Sequence, residues 1–380
     1  MKSEIIFLAP TPPPVMGPSI ATQILLKSRF VREFKVIHID TADRRPLTTL
    51  AKWDVTNVAL AFKHYFRLFA ILLTSTSELV YIPISQTVQG FLRDVPFIML
   101  SKMFRKKVVL HLRGGNFRVF YDSANGLMKW IVRTRLRSIE RMIVLGSCLK
   151  PMFAGLIPDG RISVVPNGID FNGRGFGPDA AGAGTDMIKR GDIILFLSNF
   201  MTAKGVFDVL HSVPIVKRSG ADIRYIFAGE WVEDGGERAF MSYVGRERLT
   251  SDVEIVGAKI GAEKKRLYGQ ADIFVFPPAA AEGHPWVIIE AMAAGLPIIT
   301  TNQGCIAESV IDGDNGFIIP PRDPGAIADK ILFLRNHPEV REKMGRRSRE
   351  LYEANFTEEH FVQRMIDAIR ATLKDEGDRA

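Results

Sequence analysis

Short apolar runs recur along the chain, each separated from the next by enough residues for one helix. In the first half they fall at residues 5–8, 36–39, 80–82, 108–110, 142–145 and 162–165. In the second half they fall at 193–197, 223–227, 253–256, 273–276, 298–300 and 317–319. Continuous apolar runs of this length, without alternation, predict strands covered on both faces. Helical patterns between them predict βαβ units and parallel sheets. Two α/β domains follow, each a doubly wound, Rossmann-like sheet, over 1–170 and 192–355. Residues 171–191 are rich in Gly and Ala without periodicity and read as a linker. Residues 356–380 begin with an amphipathic helical pattern. A cleft is expected between the domains, with ligands at the carboxyl ends of the strands.

One segment concentrates chemistry. The run Ile273 to Phe276 is stopped by Pro277-Pro278, and Pro285 suits the first position of a helix because its missing N–H would be unpaired there anyway. Trp286 to Ala294 then reads as a buried helix ended by Gly295. Glu282 falls in the strand-to-helix loop and Glu290 in the first turns of the helix, eight positions later. Free backbone N–H groups between them suit a phosphate. A glutamate early in a helix is also stabilised by the macrodipole with no ligand at all, so spacing alone leaves both readings open. Lys204-Gly205 poses a similar question. A lysine at a helix N-terminus faces a like partial charge, which an anionic ligand would relieve and which a side chain turned away would avoid.

The neighbours of the glutamate pair decide between these readings. The E-x7-E spacing, the run Glu290-Ala291-Met292-Ala293 continuing to Gly295 and Pro297, and the later Asp312-Gly313-Asp314-Asn315-Gly316 resemble the signature of the glycosyl transferases group 1 family. These are retaining, nucleotide-sugar-dependent glycosyltransferases of the GT-B fold, two Rossmann-like domains facing across a cleft. The resemblance implies that Lys204 and Gly205 bind the donor diphosphate, that Glu290 accepts hydrogen bonds from ribose hydroxyls, that Glu282 faces the transferred sugar, and that Gly283 and His284 are among the donor-binding residues. It places the β-phosphate at the backbone N–H groups of Trp286, Val287 and Ile288, and the base near Gly229, Lys259 and Ile260. It puts Gly17, in the loop Pro12 to Ser19, beside donor and acceptor. Two positions depart from the family. Asn199 or Ser198 stands where an arginine is usual, and Arg113 stands where a histidine is usual. Arginine clamps anions but carries no proton near neutral pH. His111, on the same strand face, is the candidate substitute, with a satisfied structural histidine as the other reading. Asp312 and Asp314 look like a metal motif, but the family role of that turn is structural. No metal and no cofactor are expected, the nucleotide sugar being a substrate.

Composition narrows the setting. A chain of 380 residues, 47% hydrophobic and 24% charged, is globular and long enough for two cores. No run supplies the ~20 apolar residues of a membrane span. The N-terminus reads as a first strand rather than a signal peptide. Two cysteines, Cys148 and Cys305, cannot form a disulfide framework, and a cytoplasmic location is expected. Residues 1–165 hold 24 Lys and Arg against 10 Asp and Glu, although the whole chain is only +8. The excess gathers at Lys63-His64-Tyr65-Phe66-Arg67, at Lys102, Arg105, Lys106 and Lys107, and at Lys129-Trp130 with Arg133, Arg135, Arg137 and Arg141. Cations interleaved with aromatics fit an anionic membrane surface, and they also fit a merely solvated face. Nothing of the zinc, helix-turn-helix or RNA-binding kind accompanies them, so nucleic acid is not expected. The expected function is retaining sugar transfer from a nucleotide diphosphate to an acceptor hydroxyl. A saccharide or lipid-linked saccharide would be the acceptor, in exopolysaccharide or lipopolysaccharide assembly, with the enzyme peripheral on the inner face of the cell membrane. Two other readings stay open: a non-catalytic nucleotide- or membrane-binding module, and a nucleotide-sugar epimerase.

Overall fold

The computed structural model describes residues 2–45, 55–171 and 192–375, so the predicted linker lies outside the described residues apart from Phe171. The chain divides into two compact units. The first comprises Met1–Asn167 with Glu358–Ala380, and the second Gly168–Thr357.

The strands of the first unit are β1 (Glu4–Ala9), β2 (Lys35–Asp40), β3 (Leu79–Ile84), β4 (Lys107–Leu112), β5 (Arg141–Val144) and β6 (Ile162–Val164). Those of the second are β7 (Ile193–Leu197), β8 (Arg224–Ala228), β9 (Val253–Ile255), β10 (Ile273–Phe276), β11 (Ile298–Thr301) and β12 (Gly316–Ile319). Among the described residues the helices are α1 (Gly17–Lys27), α2 (Phe30–Glu33), α3 (Val55–Thr74), α4 (Val88–Met103), α5 (Phe117–Ser123), α6 (Gly126–Arg137), α7 (Val206–Arg218), α8 (Gly236–Arg246), α9 (Gly261–Gln270), α10 (Trp286–Ala293), α11 (Pro324–Asn336), α12 (Pro338–Asn355) and α13 (Glu358–Lys374).

Among the described residues every strand pair is parallel. The first sheet runs β2-β1-β3-β4-β5-β6 and the second β12-β11-β10-β7-β8-β9. The order reverses between β1 and β3 in one sheet and between β7 and β10 in the other. Crevices open at such switch points, outside the carboxyl ends of the strands. Central strands such as β1 and β10 are buried along their length, which is why they are continuous apolar runs. In the first core Phe7 stacks on Tyr81 with ring centroids 4.0 Å apart, and Phe30 meets Phe7 edge-on. In the second, Phe196 lies among Phe200, Phe227 and Phe276.

Helix α13 belongs to the first unit. Its buried residues Phe361, Val362, Met365, Ile366 and Ile369 form one helical stripe. Lys107, opening β4, donates from Nζ to the carbonyls of Thr372 (3.1 Å) and Leu373 (2.8 Å), neutralising the negative end of the helix. Buried Arg141 of β5 donates to Thr372 Oγ1 (2.9 Å) and pairs with Asp375 (2.7 Å).

Candidate active site

In the second unit the loops after β7 and β10 meet at the switch point. After β7, a single turn Thr202–Lys204 ends at Gly205, whose φ is 83°. A Cβ there would meet the Pro277 carbonyl oxygen at 2.3 Å. Only glycine meets both demands, and it lets the Lys204 loop close on the strand end of β10. The N–H of Ala279 donates to the Ala203 carbonyl (2.9 Å) across the same junction. Lys204 Nζ thereby reaches Glu282 Oε1 in an ion pair and lies 5.9 Å over the Phe276 ring.

The loop bearing Glu282 is fixed from behind. A Cβ on Gly304 would stand 1.8 Å from the Glu282 carbonyl oxygen, so the chain after β11 packs directly on it. Cys305 N donates to the Gly283 carbonyl at 2.9 Å. His284, buried, has Nε2 at 2.6 Å from Ser309 Oγ, and its ring lies 5.2 Å from that of Phe356. Its side chain anchors the loop through these contacts.

Helix α10 starts at Trp286, as the sequence predicts, with Pro285 as its N-cap rather than its first helical residue, and no side chain caps it. The Ile288 N–H donates to the Pro285 carbonyl (3.2 Å) and is not available to a phosphate, contrary to expectation. Trp286 and Val287 are the first helical positions, whose N–H groups have no intrahelical acceptor. The helix end therefore offers two donors and its positive dipole beside Lys204.

Glu290 is buried, and both its oxygens are engaged. Oε1 accepts from Lys264 Nζ (2.6 Å) and Oε2 from the Tyr268 hydroxyl (2.7 Å). Burial, and then the charge of Glu290, push the Tyr268 hydroxyl well above its ordinary value, so it stays a donor. Lys264 and Tyr268 share a face of α9 at i and i+4. Sequence reasoning missed both, because nothing local to α9 tells of a contact with α10. Of the residues expected near the base, Ile260 is the exposed N-cap of α9, Lys259 lies 3.8 Å from Glu263, and the Gly229 N–H donates to the Gly257 carbonyl. Asp312 Oδ1 accepts from the Ile318 N–H (2.9 Å) and Asp314 pairs with Arg347 (2.8 Å), so that turn ties β12 to α12.

In the first unit, His111 on β4 is fully buried. Its Nδ1 lies 2.8 Å from the Tyr81 hydroxyl, and its Nε2 has no partner among the described residues. Burial, and then the charge of Arg113, hold its pKa well below the ordinary imidazole range. The imidazole is therefore neutral and enclosed on β4, packed against Tyr81. Arg113 is half-buried, donates to Asn167 Oδ1 (2.9 Å), and lies 5.9 Å over the Phe361 ring. Gly17 is the first residue of α1. At this switch point lies a cavity of about 550 Å³, whose lining includes apolar Met16, Phe62, Leu92 and Phe97 and charged Asp43, Arg93 and Arg113. His64, also in its wall, is kept below the usual imidazole range by burial and by neighbouring Lys63.

The sequence model of the family described as Glycosyl transferases group 1 matches residues 186–351, within the second unit. Trehalose synthase of Pyrococcus horikoshii is 27% identical over 183 residues, 47% of this chain and 44% of that protein. The capsular polysaccharide biosynthesis glycosyltransferase CapM of Staphylococcus aureus is 28% identical over 183 residues, 48% of this chain and 47% of that protein. The matched segment thus spans less than half the length of these curated relatives. Among solved structures, HepE of Anabaena in complex with UDP-glucose has a TM-score of 0.74 at 17% identity, covering 97% of this chain and 99% of that one. Sucrose-phosphate synthase from Thermosynechococcus elongatus gives a TM-score of 0.74 at 16% identity, with the same coverage. These likenesses extend over both units and show the fold, GT-B.

Proposed function

Residues 186–351 belong to the glycosyl transferases group 1 family, and from that premise we propose that the chain transfers a sugar, with retention, from a nucleotide diphosphate to an acceptor hydroxyl. The observation that carries the proposal is the convergence of Lys204, Glu282 and the uncapped end of α10 on one switch point.

The second unit takes the donor. Lys204 and the N–H groups of Trp286 and Val287 meet the β-phosphate, where negative charge grows as the sugar leaves. Preorganised donors of this kind lower a barrier by several kcal/mol, about 3 for a single one in favourable cases. Glu282 pairs with the ammonium of Lys204. A diphosphate brings a stronger charge to that ammonium and frees Glu282 to accept from sugar hydroxyls. Glu290 accepts from ribose hydroxyls, its orientation set by Lys264 and Tyr268. With a lysine and a helix end at the leaving group, the reaction needs no divalent ion. The first unit takes the acceptor in the cavity beside Arg113. A saccharide carried on a lipid phosphate suits a largely apolar lining that includes the guanidinium groups of Arg93 and Arg113, at the inner face of the cell membrane during polysaccharide assembly.

A thermal-shift screen of nucleoside diphosphates and their sugars, with and without EDTA, tests this. One nucleotide is expected to raise Tm regardless of EDTA; saturation at a hundredfold over Kd stabilises by about 2.7 kcal/mol. Glu290→Gln should weaken that shift, while Glu282→Ala should keep it and lose turnover. A flat response to every nucleotide would overturn the donor site, and equal loss of binding in both variants would overturn the division of labour.

A further inference from the structure

Helix α3 is apolar on two faces. Its inner face packs into the first unit: Leu68 and Leu72 are buried, and Tyr65 meets Phe97 of α4 edge-on at 4.6 Å and donates to the Arg93 carbonyl at 2.7 Å. Its outer face repeats Phe62, Phe66, Phe69 and Leu73 at helical spacing, and all four are exposed, Phe66 to 71%. Alongside, α4 exposes Leu92, Met99 and Met103, the last to 73%. A surface helix ordinarily turns polar residues outward. A contiguous apolar patch with a polar rim marks an interaction surface.

The rim has one sign. Lys63 and Arg67 lie between the phenylalanines, Arg105 and Lys106 follow α4, and α3 contains no acidic residue. Asp94 of α4 is buried and accepts from the Ser85 N–H (2.8 Å), so it does not offset this rim. Lys102 is the exception, being paired with Glu140 at 2.6 Å. A second copy of the chain would set one cationic rim against another. An anionic leaflet complements both parts of the face, with headgroups for the cations and the acyl boundary for the rings.

We infer that the α3–α4 face docks on an anionic phospholipid bilayer. This deepens the proposed transfer reaction and rests on it for the identity of the acceptor. Phe62 and Leu92 belong both to the exposed face and to the wall of the cavity beside Arg113. The lipid end of a bilayer-anchored acceptor thus has an apolar path between α3 and α4 to the switch point of the first sheet.

Co-sedimentation with vesicles tests the inference, using phosphatidylcholine alone and phosphatidylcholine with about a third phosphatidylglycerol. Binding is expected to the mixed vesicles and to fall as salt screens the charges. Two double variants outside the cavity wall probe the face, Phe66→Ser with Leu73→Ser and Lys63→Gln with Arg67→Gln. Each should weaken partitioning on the order of tenfold while melting as the wild type does. Absence of wild-type binding to mixed vesicles, or unchanged binding by both variants, would overturn the inference. So would a dimer in solution that Phe66→Ser dissolves without any vesicle binding. The nucleotide shift measured on the same preparations separates the two readings. A retained shift with no vesicle binding removes the docking face alone, and vesicle binding with no shift removes the transferase alone.

Discussion

Each carboxylate of the candidate donor site is met by its own lysine, Lys204 for Glu282 and Lys264 for Glu290, but burial makes the two pairs unequal. The Glu282 pair lies at a loop surface where a ligand can exchange partners with it. The Glu290 pair is enclosed, and removing one member would strand the other at a cost of about 3 kcal/mol or more. That is why glutamine, which keeps the shape and one acceptor, is the informative change at Glu290. The buried pair Tyr81–His111 follows the same logic and yields a dependence on pH. His111 has a folded pKa depressed by burial and by Arg113. Its contribution is therefore fully present above the unfolded value, near 6.5, and is lost as pH falls below it, because the unfolded chain gains a proton the folded one refuses. Wild-type unfolding free energy should drop between about pH 7.5 and 5.5 more steeply than that of His111→Phe, though the variant is the weaker of the two at neutral pH because the buried Tyr81 hydroxyl loses its imidazole partner and keeps only Arg113. Denaturant titrations at both pH values measure this, and parallel profiles would remove His111 as the source. The sequence left the role of this histidine open, and it could not do otherwise. Tyr81 sits 30 residues away and meets it only because β3 pairs with β4.

At the scale of elements, the strands were legible because central parallel strands must be apolar on both faces, and Ile5 to Leu8 or Ile273 to Phe276 have no other reading in a chain with this spacing. Helix α10 was legible for a related reason, its residues Ile288 to Ala293 being wholly buried. Its start at Trp286 was legible too, but the part Pro285 plays there was not. Pro285 serves as N-cap and its carbonyl captures the Ile288 N–H, a choice set by the tertiary position of the loop. The partners Lys264 and Tyr268 were invisible for want of any local signal, since α9 and α10 are joined only through β10. The turn at Lys204 shows how far local structure depends on one residue. Gly205→Ala must place a Cβ 2.3 Å from the Pro277 carbonyl at a φ of 83°. Strain at such a backbone costs of order 1–3 kcal/mol before the clash is counted. The variant should melt several degrees lower and bind nucleotide more weakly, because the loop that carries Lys204 must back away from β10. Calorimetry with a nucleotide titration reads both, and an unchanged Tm would mean the turn is not held as tightly as its contacts require.

At the scale of the whole molecule, the order of the chain and the order of its cores differ. The segment that completes the first unit is the last helix, more than 180 residues after β6. Five large apolar side chains of α13 are buried there, Phe361, Val362, Met365, Ile366 and Ile369. Removing them exposes apolar surface that stabilises by roughly 1.5–3 kcal/mol per side chain. Their sum is comparable to the 5–15 kcal/mol that typically keeps a domain folded. Two further groups would be stranded with them. Lys107 loses the carbonyls of Thr372 and Leu373, and buried Arg141 loses Thr372 and Asp375. A chain ending at Thr357 should therefore keep a cooperative second unit and a first unit without one. The expected calorimetric trace has one transition where the full chain has the heat of two units, with dye-binding apolar surface and loss of vesicle binding. A peptide of residues 358–380 added in trans should restore part of the missing transition. If the truncated chain instead unfolds with undiminished enthalpy, α13 only covers the first unit and does not build it, and the packing of Phe361 to Ile369 contributes far less than its burial implies.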